Sequence, residues 1–232
     1  GMAIETKVFA RILDKTLSLC NAAALNAVAT GYFASVEQGK SAAAAIRTLK
    51  SQNGALVVLV DPVFGDHGKL YVQQEIAEAI RDHLLPLASI TTPNLFELSW
   101  LTGEKAKARP AIATIARELG IREVIVTSVP AVQNELETVL VTDEYAYAIA
   151  IEKRKAIANG TGDFLAGAYL AHRLLMPANT AFQKSMRMLR RVIERSDGST
   201  VLAIAPALKN DPRHRCRWLP RRLDCVDLGR YR

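Results

Sequence analysis

Residues 159–163 read Asn-Gly-Thr-Gly-Asp and lead directly into the apolar run Phe-Leu-Ala-Gly-Ala-Tyr-Leu-Ala. Gly160 and Gly162 carry no Cβ, so their backbone can approach a ligand closely. The N–H groups at the start of the helix that follows can then hold an anion such as phosphate. Asp163 falls in the first turn of that helix, where a carboxylate complements the macrodipole by ~0.3–1 kcal/mol, so helix stabilisation alone would account for it. Beside an anion site the same carboxylate can take the proton of an alcohol as its oxygen attacks the terminal phosphate of a nucleotide. Gly160, Thr161 and Gly162 would then stabilise charge on the transferring group. A positioned base contributes ~10²–10⁴-fold, and preorganised donors a comparable factor.

Three other polar stretches follow apolar ones: Asp61-Pro62-Val63, Thr92-Pro93-Asn94-Leu95-Phe96-Glu97 and Thr127-Ser128. Asp61 and Glu97 are candidates for a magnesium environment, directly or through water, because Mg²⁺ takes oxygen ligands and keeps several waters. Each residue also has a plainer explanation. Asp61 can be a turn-forming Asp-Pro after a strand, Glu97 a residue on a solvated helix face, and Asn94 the cap of its helix.

The elements that would position these residues alternate. A helix is expected around Glu5 to Leu19, a strand over "NAVATGYF", and a helix over "SVEQGKSAAAAIRTLKSQNG" closed by Asn53-Gly54. "ALVVLVDPVFG" reads as a strand ending at Asp61-Pro62, "VQQEIAEAIRDHLLPLA" as a helix, "SITTPN" as a short strand, and "NLFELSWLTG" as a helix. "PAIATIARELG" is helical, "REVIVTSV" is a β-branched strand, and "ELETVLVTDEYAYAIAIE" is a hairpin turning near Asp143-Glu144. This alternation points to an α/β fold whose mostly parallel sheet is covered on both faces. In such sheets ligands bind at the carboxyl ends of the strands, where all four polar stretches are expected.

At 232 residues and 50% hydrophobic composition, the chain suits one sizeable domain. No apolar run is long enough to span a membrane, and neither a signal peptide nor a Cys/His metal spacing is present, so a soluble cytoplasmic protein is expected. The net charge of +7 is concentrated late. From Lys209 to Arg232 there are eight Lys or Arg against three Asp, which leaves about +2 for everything before. Nucleic-acid motifs are missing, so the charge is assigned to a basic, poorly packed extension over 196–232, with the folded domain at 1–195.

Taken together, "TGYFAS" at 30–35, "DPVFGDHGKLYV" at 61–72, "TTPNLFEL" at 91–98, "VTS" at 126–128 and "NGTGDFLAGAYLA" at 159–171 resemble the pyridoxal kinases of the ribokinase-like superfamily. The likeness runs over about residues 5 to 195. It implies a three-layer αβα sandwich and transfer of the ATP γ-phosphate to the 5′-hydroxymethyl group of pyridoxal, pyridoxine or pyridoxamine. By the resemblance, Asp163 matches the catalytic base and Gly160 to Gly162 the anion-stabilising turn. Asp61, Asn94 and Glu97 match positions around magnesium and the phosphates. Thr127 and Ser128 would line the nucleotide phosphates, Tyr71 would lie in the loop covering them, and Tyr32 would belong to the vitamin pocket. ATP, Mg²⁺, an assisting monovalent cation and a homodimer are implied in the same way.

Kinases of hydroxymethylpyrimidine share the Asp-Pro-Val and Thr-Pro-Asn elements but commonly carry Cys where this chain has Asp163. Sugar kinases of the superfamily usually lack the Leu-Tyr-Val loop. Members also usually begin with an earlier strand and hairpin that supply vitamin-binding side chains and dimer contacts, and this sequence does not show them. Three other readings stand beside an active pyridoxal kinase: a non-catalytic nucleotide-binding remnant, a kinase of a related small alcohol, and a basic interaction module acting through Lys209 to Arg232.

Overall fold

The structure is a computed structural model that describes residues 3–105, 109–132, 134–153, 159–196 and 198–204. The strands are β1 (Ala27–Thr30), β2 (Val57–Val60), β3 (Gly65–Asp66), β4 (Lys69–Leu70), β5 (Ile90–Thr91), β6 (Glu123–Pro130), β7 (Glu135–Thr142) and β8 (Ala146–Glu152). The α-helices are α1 (Thr6–Leu19), α2 (Val36–Gln52), α3 (Gln74–Ala79), α4 (Leu95–Thr102), α5 (Arg109–Glu118), α6 (Thr161–Arg173) and α7 (Ala178–Arg195). A six-stranded sheet has the order β1-β2-β5-β6-β7-β8, and β3 with β4 forms a separate ribbon. β1 with β2, β2 with β5 and β5 with β6 are all parallel, so the mostly parallel α/β sheet expected from the sequence is present.

The chain divides into two compact units, one of residues 1–126 with 141–143 and the other of the remainder. In the first, Val58, Leu59 and Val60 of β2 and Val124, Ile125 and Val126 of β6 are almost wholly buried, as central parallel strands require. Full burial of each such side chain contributes about 1.5–3 kcal/mol. β1, at the end of the sheet order, is only half-buried. Gln38 of α2 ties the start of the chain down: its Nε2 donates to Ile4 O at 3.0 Å and its Oε1 accepts from Ala34 N at 3.0 Å. α2 opens on Ser35, whose Oγ accepts from Gln38 N at 3.2 Å, and closes at Asn53, whose Nδ2 donates to Leu25 O at 2.8 Å.

In the second unit α6 packs on α7 around the fully buried Tyr169 and Phe182, and Tyr147 meets Phe182 edge-on at 6.1 Å. The buried Ser185 Oγ donates to Ala181 O at 2.8 Å and lies 2.9 Å from His172 Nδ1, joining the two helices.

Two features differ from the sequence expectation. The helix expected over "VQQEIAEAIRDHLLPLA" stays α-helical only through α3; a π-helical turn follows at Ile80–Leu84 and a 3₁₀ turn at Leu85–Leu87, where Pro86 removes the N–H a regular helix needs. The stretch after Asp61-Pro62, for which the sequence predicts no strand pair, holds the β3–β4 ribbon. Its two-residue turn has His67 at φ 50° and Gly68 at φ 82°, both left-handed as a tight hairpin requires. "VLAIAPAL", expected as a last strand or helix, has no strand over 201–204, and its remainder lies outside the described residues. The basic extension likewise lies outside them beyond Ile204.

Candidate active site

In the first unit the polar residues gather at the carboxyl ends of β1, β2 and β5. Pro62 stops β2 because it cannot donate to a ladder, and this leaves Asp61 at the strand end with its N–H on Thr30 O at 3.1 Å. The Asp61 side chain is only 8% exposed, and its Oδ1 accepts from Thr92 Oγ1 at 2.8 Å. Thr91 Oγ1 donates to Val60 O at 2.7 Å, so the Thr-Thr pair before Pro93 fastens β5 to β2. Thr30 Oγ1, at the end of β1, is buried with no hydrogen-bond partner among the described residues.

Asn94 and Glu97 form a reciprocal cap at the start of α4. Asn94 Oδ1 accepts from Glu97 N at 2.9 Å, and Glu97 Oε2 accepts from Asn94 N at 2.8 Å. Both residues also reach the β3 strand. Glu97 Oε1 accepts from Phe64 N at 3.1 Å and Gly65 N at 3.3 Å, while Asn94 Nδ2 donates to Gly65 O at 2.7 Å. Glu97 is 4% exposed, so it does not lie on a solvated helix face. Burial pushes its carboxyl up to about 8; the neighbouring Asp61 charge adds to the rise, and the hydrogen bonds from Asn94, Phe64 and Gly65 hold it back.

Gly65 is required at this junction. A Cβ there would overlap the Phe96 ring and come within 2.9 Å of Lys69 O. Tyr71 follows β4, is 53% exposed and donates its N–H to Phe64 O at 3.1 Å; Tyr32, just past β1, is 60% exposed.

In the second unit Gly160 is the N-cap of α6, in a left-handed conformation at φ 92°, and among the described residues no side chain caps this helix. The positive end of the α6 dipole therefore lies at the Gly160–Gly162 turn, with Asp163 exposed in the first turn. Asn159, Gly160, Asp163 and Phe164 line an open cleft of about 520 Å³ together with Thr200, Val201, Leu202 and Ile204. Thr127 and Ser128 lie towards the end of β6, where Ser128 adopts φ 58°, a conformation rare for a non-glycine residue and frequent at functional positions.

The structure thus brings Asp61, Asn94 and Glu97 together in one unit, and Gly160, Thr161, Gly162 and Asp163 in the other. The sequence reading did not single out Thr92, Gly65 or the 200–204 wall. Thr92 was visible only as a second Thr before Asn94, and the wall only as the apolar pattern "VLAIA". Among the described residues no cluster of three or more His, Cys, Asp or Glu is placed to hold a metal ion. Also among them, no helix is long and apolar enough to cross a membrane.

A mostly parallel sheet with polar residues at its strand ends, and a Gly-Thr-Gly-Asp turn opening a helix, fit the ribokinase-like fold. The fold is shared with the pyridoxal kinase of Leishmania donovani, solved in complex with ADP and pyridoxamine, at a TM-score of 0.77 and 25% identity over 88% of this chain and 74% of that one. Residues 3–202 match the phosphomethylpyrimidine kinase family, and the chain belongs to it. Its relatives there include a pyridoxine/pyridoxal/pyridoxamine kinase of Bordetella avium, 32% identical over 85% of this chain and 70% of that protein. They also include a pyridoxal kinase of Granulibacter bethesdensis, 31% identical over 74% of this chain and 64% of that protein. The chain therefore spans about two thirds of the length of these relatives.

Proposed function

We propose that the protein transfers the γ-phosphate of ATP to the 5′-hydroxymethyl group of pyridoxal, pyridoxine or pyridoxamine, as in vitamin B6 salvage. The observation that carries this reading is the Gly160–Asp163 turn, where a left-handed glycine, an uncapped helix start and an exposed carboxylate share one open cleft. The relatives' activities and the ADP complex of the Leishmania donovani enzyme support the same reaction class.

In this mechanism Asp163 accepts the proton of the vitamin hydroxyl as that oxygen attacks phosphorus. Gly160, Thr161 and Gly162 hold the developing charge with backbone N–H groups, which need no reorganisation during the reaction. The roles implied by the resemblance are orientation of the nucleotide phosphates for Thr127, Ser128 and Asn94, cover over them for Tyr71, and a place in the vitamin pocket for Tyr32. Asp61 and Glu97 would supply oxygens to a magnesium environment, directly or through water; burial is the main cause of the raised Glu97 carboxyl, and a nearby cation would relieve only the smaller part that comes from the Asp61 charge. Mg²⁺ supplies charge neutralisation on the phosphates when bound, with a monovalent cation assisting. The reading carries with it a cytoplasmic place of action, where ATP is available, and a homodimer.

A second acceptor class is favoured by the family match itself, whose description is phosphomethylpyrimidine kinase. ADP release measured across pyridoxal, pyridoxine, pyridoxamine and hydroxymethylpyrimidine separates the two. Turnover highest with a B6 alcohol upholds the proposal. Turnover with the pyrimidine alone reassigns the acceptor, and nucleotide binding without turnover of any alcohol identifies a non-catalytic remnant.

A further inference from the structure

The 196–204 stretch was expected to begin a loose extension, yet its described residues are fastened to the end of α7. The buried Ser196 Oγ donates to Val192 O at 2.6 Å and accepts from Ala203 N at 2.8 Å, so one hydroxyl joins the last helical turn to a residue seven positions on. Gly198 at φ 73° reverses the chain, and Ser199 closes the turn by accepting from Val201 N at 3.1 Å and donating to Val201 O at 2.9 Å. Leu202, half-buried, is thereby held against the start of α6. Its Cδ1 lies 3.6 Å from the position a Cβ on Gly160 would take, and Asp163 Oδ2 lies 3.8 Å from the same point.

We propose that this segment is a strap and that Leu202 is a positioning residue for the anion-holding turn. Gly160 is left-handed and, among the described residues, no side chain caps its helix, so these residues give the turn little local support. Leu202 supplies that support from outside, restricting Gly160 to the conformation that aims the first-turn N–H groups into the cleft. Val201, 71% exposed, and Ile204, 40% exposed, extend the apolar wall on the cleft side. Ser196 acts through Leu202, by fixing where the strap lies. The inference rests on the kinase reading for its catalytic consequence but not for its geometry.

Two measurements on Leu202→Ala test it. Hydrogen exchange of the protein without nucleotide reads the strap directly: exchange over 160–164 rises in the variant while exchange in the middle of α7 stays at the parent rate. Steady-state kinetics read the consequence: kcat/KM for ATP falls about ten-fold, with the KM for pyridoxal nearly unchanged, because a small displacement of the turn weakens the transferring phosphate's contacts. Ser196→Ala moves both readouts in the same direction, and Leu202→Met restores them. Parent-like exchange over 160–164 in Leu202→Ala overturns the strap, as does a uniform rise that includes α7. If Leu202→Ala does not fold, Leu202→Val is judged by the same two criteria. A parent protein that turns over no alcohol refutes the kinase reading, and the exchange experiment still decides the strap.

Discussion

Replacing Glu97 by Gln keeps the volume of a side chain that accepts hydrogen bonds from three backbone N–H groups, those of Phe64, Gly65 and Asn94. The amide oxygen can serve one side of this arrangement, but its NH₂ then faces an N–H donor on the other, and leaving such a buried donor unpaired costs about 1–3 kcal/mol. A protonated carboxyl avoids the conflict, because its hydroxyl oxygen still accepts. The cost depends on pH, and its sign follows from the direction of the Glu97 shift. The group titrates at about 8 in the folded protein against an ordinary value of 4.5, so between these values the folded protein keeps a proton that the unfolded chain has released. The stability this group contributes is complete below pH 4.5 and is lost as pH rises through 8, with a slope of up to roughly 1.4 kcal/mol per pH unit. Gln has no such titration. Urea unfolding of parent and variant across the range from about pH 5 to about pH 9 should therefore show the widest stability gap at the acid end, narrowing by at least about 1 kcal/mol at the alkaline end. Other titrating groups cancel in the difference. A gap that stays constant or widens with pH would refute the burial argument for Glu97.

Asn94→Ala removes the helix cap and the bond to Gly65 O, together about 2 kcal/mol, so thermal unfolding should drop by about 4–8 °C. Gly65→Ala drives a methyl into the Phe96 ring and towards Lys69 O; calorimetry should show a loss of about 1–3 kcal/mol, and a silent substitution would mean that the β3–α4 junction is looser than described. Gly160→Ala meets only ordinary contacts from Leu202 and Asp163 but must hold φ 92°, which costs about 1–2 kcal/mol; turnover well below the melting temperature should fall by more than the stability loss explains.

Where an element is long and periodic, its residues announce it. α2 is bounded by a Ser cap and an Asn-Gly close, and β6 carries a β-branched run that the structure keeps almost intact. The β3–β4 ribbon left no such mark, because two-residue strands have no period and its turn puts a histidine where glycine or asparagine would have signalled it. Site chemistry was legible where residue type alone limits the role, as for the Gly-Thr-Gly-Asp turn. It was less legible at Glu97, which was expected either beside magnesium or in solvent, because burial against the backbone of Phe64 and Gly65 depends on a contact 33 residues away in sequence. The strap at Ser196 escaped notice for the same reason: nothing in "SDGSTVLAIA" states that a serine hydroxyl will join both ends of the turn.

Asp163 is the proposed proton acceptor for an alcohol attacking ATP. The most direct measurement incubates parent and Asp163→Asn with ATP, Mg²⁺ and pyridoxal, and follows phosphorylated product by mass spectrometry beside nucleotide affinity by calorimetry. The parent should form pyridoxal 5′-phosphate and ADP in equal amounts, while the variant binds nucleotide normally but forms product at least about a hundred-fold more slowly. Equal rates for the two proteins, or ATP consumption by the parent without phosphorylated pyridoxal, would contradict it.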